Sequence, residues 1–253
     1  MTRKRGTSKD DFASAPKLDI LVFGPHPDDA EIGTGGILLK AKAAGYKTGI
    51  IDMTEGEMAT GGTLAIRRKE TLAAAKILSL DARETLGIPD CQVEDTYENR
   101  LKVATAIRKY RPELVFAPYY ITPPGRGLGH SDHQKTGYVV SHGYNFAHLK
   151  KLPVQGEPHQ ARALYYYFLP PGMVPTFIVD VTDFYEEWMA SIMVHESQFG
   201  ELRGNQGVRD FFDAFARQWG RMIGAKYAQA FFSTSPLRID NPLDLVKTVR
   251  TRI

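Results

Sequence analysis

The sequence predicts an α/β fold: a doubly wound, mostly parallel sheet flanked by helices. Apolar runs of strand length alternate with segments of helical spacing, from LDILVFG at 18–24 to ELVFAPYY at 113–120. The resulting order, β-α-β-α-β-α-β-α, requires crossover connections, which make neighbouring strands parallel and put helices on both faces. No repeat, low-complexity tract or linker interrupts residues 17–253, so they read as one domain behind a disordered tail at 1–16.

Each element follows from local pattern. LDILVFG is the first strand. Apolar residues at Ile37, Leu38 and Ala41 place a helix over 33–44, closed by Gly45. KTGIIDMT (47–54) is the second strand, followed by a Gly-rich loop at 55–63 and a long helix over 64–80. A short strand at 82–87 leads to an amphipathic helix over 97–110, stopped by Pro112, and then to the fourth strand at 113–120. The loop ITPPGRGLGHSDH precedes a helix from about 134 to 149. Strands at 163–169 and 176–181 and helices over 184–199 and 211–231 complete the chain. A Rossmann-like order of 3-2-1-4-5 sets strands one and four side by side, and ligands bind at that switch point.

Bulk properties exclude several functions. Hydrophobic residues make up 43% of the chain, enough for a substantial core. The net charge is +3, and much of the excess lies in the ends, residues 1–5 and 247–252. The body is near neutral and argues against a nucleic-acid groove. No apolar run reaches the ~18–20 residues of a membrane span, and the N-terminus lacks the pattern of a secretory signal. One cysteine, Cys91, rules out a disulfide within the chain and suits a reducing cytoplasm. We expect it to be a small packing residue.

The chemistry concentrates at two strand ends. His26-Pro27-Asp28-Asp29 leaves strand one, and His130-Ser131-Asp132-His133 sits on the loop leaving strand four. The predicted topology brings the two together. His26, Asp29 and His133 form a two-imidazole, one-carboxylate set that suits a borderline divalent ion and leaves a position for water. Zn²⁺ is the default, but the same set holds Fe²⁺. Asp28 is placed beside the metal to accept a proton, and His130 to stabilise an oxyanion or donate a proton. The competing reading is that Asp28 or Asp29 merely caps the helix that follows. Arg67, after the Gly-rich loop, is a candidate clamp for substrate, and His195 is placed near the same crevice. GTGG (33–36) lacks the dinucleotide spacing, so its glycines are expected to serve close packing.

These motifs resemble the PIG-L-like (LmbE-like) N-acetylglucosamine deacetylases. The similarity runs through LDILVFGPHPDDAEIGTGG, IIDMTEGEMATGGTLAIRRKE, LGIPD, GHSDH and HESQF, and covers roughly residues 18–245. It implies zinc ligands at His26, Asp29 and His133, a general base at Asp28, a transition-state histidine at His130 and substrate contacts from Arg67. Among subgroups it is most similar to the bacillithiol-biosynthesis deacetylases, which implies N-acetylglucosaminyl malate as substrate and a homo-oligomer, a trimer or hexamer. The family's usual H-P-D-H is H-S-D-H here. Two other functions are open to the same residues: an iron-dependent oxygenase and a non-catalytic sugar-binding relative. A deacetylase of another N-acetylglucosaminide is the alternative within the family.

Overall fold

The computed structural model describes residues 12, 14–123, 129–200 and 204–243 of the chain. Most of the expected tail, and residues 124–128 of the loop before His130, lie outside the described residues.

Five strands form the central sheet: β1 (Ile20–Gly24), β2 (Thr48–Asp52), β3 (Ala82–Thr85), β4 (Leu114–Pro118) and β5 (Ala163–Tyr167). Their order is β3-β2-β1-β4-β5 with every pair parallel, as the sequence predicts. Four helices make the crossovers: α1 (Asp29–Ala43), α2 (Leu64–Ile77), α3 (Tyr97–Tyr110) and α4 (Ser131–Phe146). Thr63 caps α2 by accepting from the Ile66 amide, and Thr96 caps α3 by accepting from the Asn99 amide.

The strands are apolar on both sides because both sheet faces are covered. Leu21 and Phe23 of β1 join a core with Val103, Ile107 and Val140 of α3 and α4. Their neighbours Ile20 and Val22 join the opposite core with Leu38 of α1. That second core also takes in Met189 and Ile192 of α5 (Tyr185–Met193). The strand period of two therefore splits β1 between two cores.

The C-terminal part departs from the sequence reading. Residues 211–231 are not one helix. A short helix α6 (Glu196–Phe199) and a long α7 (Gly204–Ile223) are followed by a strand, β7 (Ala228–Phe231), antiparallel to β6 (Phe177–Asp180). Tyr166 and Phe232 exchange backbone hydrogen bonds, 2.9 Å each way, so this ribbon covers the open edge of β5. The helix expected over 184–199 is broken at Val194 and His195. The first and fourth crossover helices start at Asp29 and Ser131, several residues earlier than expected.

Candidate metal centre

β1 and β4 end beside each other, and the segments that leave them meet. Three imidazoles cluster there: His26 to His130 at 5.2 Å between ring centroids, His26 to His133 at 5.6 Å and His130 to His133 at 5.9 Å. Asp29, in the first turn of α1, places its Oδ2 3.0 Å from His26 Nδ1 and 3.2 Å from His133 Nε2. Phe168 stacks on the His133 ring.

The donor set fits a divalent cation. His26, Asp29 and His133 each offer one ligand atom, all within 4.8 Å of one another. Four carboxylates crowd the cluster: Asp28 and Asp29, with Asp90 and Asp132 reaching His26 Nε2 at 3.1 and 3.3 Å. Burial would lower the His26 pKa, but hydrogen bonds that it donates to the Asp132, Asp29 and Asp90 carboxylates outweigh it and push it up to about 12. Burial likewise opposes ionisation of Asp29, and the His133 charge overrides it, holding Asp29 well below the usual carboxylate range. So much negative charge around imidazoles is what a metal ion would neutralise. A second set, His26, His130 and Asp132, meets the same distance. It is already engaged: His130 Nδ1 accepts from the Asp132 amide, and Asp132 Oδ2 accepts from the Cys91 amide.

Asp28 occupies the N-cap position of α1, but its side chain makes no capping hydrogen bond. The capping explanation of its presence therefore fails. Its φ of 127° is a conformation that a non-glycine residue rarely adopts. Such strain persists only where the surroundings impose it, and it concentrates at functional sites. Burial, followed by the negative charge of Asp29, raises the Asp28 pKa from 3.8 to about 7.

Arg67 lies in the same cluster with its guanidinium already committed. It donates to Gly56 O at 2.6 Å and Pro27 O at 3.0 Å, and stands 3.6 Å from Asp28 Oδ2. The side chain is 5% exposed, so what it grips is the HPDD turn itself. Gly56, at φ +67°, makes room: a Cβ there would fall 2.1 Å from Arg67 Nη1.

His195 is not on the substrate side. It has no exposure, and its Nε2 lies 3.0 Å from Glu31 Oε1. Glu31 in turn accepts from Arg83, which also pairs with Asp52. Burial raises carboxylate pKa values, yet the Arg83 charge and the His195 hydrogen bond hold Glu31 at about 2. This buried row backs the site and was not singled out from sequence, although Glu31 stands two residues after Asp29. Asp90 and Asp132 were also missed as partners of His26. Asp132 sits inside the H-S-D-H motif, so the signal was present. Cys91 is exposed rather than packed, at the mouth of the cluster.

The model of GlcNAc-PI de-N-acetylase, PIG-L, matches residues 21–144. The chain is 31% identical to the diacetylchitobiose deacetylase of Thermococcus kodakarensis over 83% of this chain and 80% of that protein. It is 30% identical to a probable N-acetyl-alpha-D-glucosaminyl L-malate deacetylase 2 of Bacillus anthracis, over 48% of this chain and 57% of that one. The conserved protein TT1542 of Thermus thermophilus superposes with a TM-score of 0.80 at 40% identity, covering 89% of this chain and 98% of that one. Sequence similarity across most of its length, and the fold that carries the His/Asp cluster, place this chain in the PIG-L family of de-N-acetylases, hydrolases of the amide bond.

Proposed function

We propose that this protein is a zinc-dependent hydrolase that removes the acetyl group from an N-acetylglucosamine derivative. The observation that carries the reading is Asp28: a strained, uncapped carboxylate of raised pKa, next to three convergent ligand atoms. His26, Asp29 and His133 would hold the ion. When bound, a divalent cation acidifies water and polarises the acyl carbonyl. Asp28 takes the proton of the attacking water and returns it to the departing amine, its burial favouring the protonated form between the two transfers. His130 accepts the Asp132 amide hydrogen at Nδ1, so its neutral ring carries a proton on Nε2, available to the oxyanion. Arg67 holds the turn that presents Asp28. The same donors suit Fe²⁺, so loading with either metal belongs in the assay.

Similarity over most of the chain to a diacetylchitobiose deacetylase favours a short N-acetylated glucosamine oligosaccharide over the malate conjugate, whose deacetylase matches about half of the chain. Among the described residues no helix is long and apolar enough to cross a membrane. The single cysteine fits a reducing cytoplasm. Exposed Met222 and Ile223 at the end of α7 give a homo-oligomer, a trimer or hexamer, a surface to use.

The test is acetate release by metal-loaded protein from N,N'-diacetylchitobiose and from N-acetylglucosaminyl malate. Release from the disaccharide is expected to dominate. Turnover of the malate conjugate alone would reverse the substrate assignment. Oxygen consumption without acetate release would replace the hydrolase by an oxygenase.

A further inference from the structure

A cavity of about 270 Å³ opens directly beside Asp29 and His133, between α1, the segment leaving β5, α5, α7 and β7. Phe168, Trp188, Phe212, Phe215 and Trp219 supply its aromatic walls, and Ala216 part of its lining. Two of its polar side chains, Trp188 and Gln229, are already engaged. Trp188 donates its indole hydrogen to Glu31 O at 2.8 Å. Gln229 accepts from the Ile37 amide at 2.9 Å and donates to Ile32 O at 3.4 Å. A sugar placed against these largely apolar walls would find few partners for its hydroxyls. Asp28, Asp90 and His130 belong to the same cluster but do not line the cavity. The candidate metal centre therefore borders two kinds of surroundings: the polar cluster suits a sugar, the cavity a hydrocarbon.

An N-acyl amino sugar has the same polarity about its amide. We infer that the cavity receives the acyl chain, and that the enzyme also hydrolyses N-acyl glucosaminides with medium-length chains. This rests on the hydrolase reading above and extends its substrate class. An apolar cavity of about 150 Å³ holds a six-carbon benzene, so this one has room for roughly eight to ten carbons, far beyond acetyl. In the reaction the water oxygen bonds to the acyl carbon and the carbon–nitrogen bond breaks. Both water protons end on the nitrogen, so the sugar leaves as the ammonium and the chain as a carboxylate. No other reactant is needed.

The experiment compares N-acetyl-, N-butanoyl-, N-hexanoyl-, N-octanoyl- and N-dodecanoylglucosamine as substrates of the metal-loaded full chain, by release of free amine. Each methylene buried is worth up to about fourfold in kcat/KM, so values are expected to rise from acetyl to hexanoyl or octanoyl and drop at dodecanoyl. Ala216→Phe, which fills the cavity, is expected to lower the octanoyl-to-acetyl ratio by roughly tenfold or more. A second readout is independent of turnover. The chain has two tryptophans, and both line the cavity. N-octanoylglucosamine is expected to shift their emission saturably in metal-free protein, where N-acetylglucosamine does not. Acetyl hydrolysis with steady loss from butanoyl onward would overturn the inference and leave the deacetylase reading intact. Tryptophan emission that changes with protein concentration in the absence of ligand would assign the cavity to a second copy of the chain and overturn it too. No hydrolysis at any chain length would overturn both readings.

Discussion

Asp28→Asn separates what this carboxylate does for catalysis from what it costs the fold. In the metal-free protein, burial and the Asp29 charge raise the Asp28 pKa from 3.8 to about 7. A carboxyl whose pKa is higher folded than unfolded binds its proton more tightly in the native state. Its contribution to stability is therefore complete below pH ~4 and is lost as the pH climbs through about 7. At ~1.4 kcal/mol per pH unit, the displacement corresponds to about 4 kcal/mol across that window. Asparagine keeps the shape and cannot ionise. The stability of Asp28→Asn relative to wild type, both stripped with chelator, is expected to improve by up to about 4 kcal/mol between pH 4 and 7, and to stay level above. Bound metal supplies positive charge beside Asp28 and narrows that gap. Activity falls in the opposite sense, by at least ~10²-fold, because the base is gone while the ligands remain. Urea melts of both proteins across pH 4–8, with and without Zn²⁺, read the first effect, and acetate release reads the second. A pH-independent stability difference would show that Asp28 is not held in its neutral form. Near-normal turnover would remove it as the base.

Other expectations follow from the same geometry. Chelation is expected to abolish turnover and Zn²⁺ to restore it, and Asp90→Asn, which removes a carboxylate facing His26, to weaken metal affinity by about 10–100-fold by calorimetry. Unchanged affinity would mean that Asp90 does not orient the ligand. Arg83→Met leaves Glu31 and Asp52 buried without their counter-charge and is expected to cost about 3–5 kcal/mol in urea unfolding. A loss within error would show that the buried row is compensated elsewhere. Gly33→Ala puts a Cβ 2.1 Å from the Tyr167 ring, and the overpacking is expected to cost about 1–3 kcal/mol, visible as a lowered Tm.

The strand order was legible because each central strand is a continuous apolar run and the crossovers leave one topology. The HPDD and HSDH motifs were legible as a pair because that topology makes their strands neighbours. Local propensity misplaced what tertiary contacts decide. The first turns of α1 contain Asp29, Glu31 and Gly33, and the aspartate and glycine are poor helix formers, so a pattern search starts the helix later. Packing holds it instead: Gly33 lies against Tyr167, and Trp188 bonds to Glu31 O. β7 reads Ala-Gln-Ala-Phe, a helical composition, and becomes a strand because β6 pairs with it and Phe232 bridges to Tyr166. The sequence places His195 near the crevice, but no local signal tells a substrate-facing imidazole from one buried against Glu31.

That last distinction bears on how the site holds its shape. Asp28 is strained, and the cluster carries more acids than its imidazoles balance, so in the absence of metal the site works against folding by about 1–3 kcal/mol from the backbone alone. The opposing restraint comes from behind and beside it. Arg67 ties the turn to Gly56, and the Asp52–Arg83–Glu31–His195 row fixes the first turn of α1 from the buried side. Two of the proposed metal ligands, Asp29 and His133, then sit in the first turns of α1 and α4, whose backbones are set by the sheet. The restraint on the site thus comes from the protein itself, from the sheet, Arg67 and the buried row.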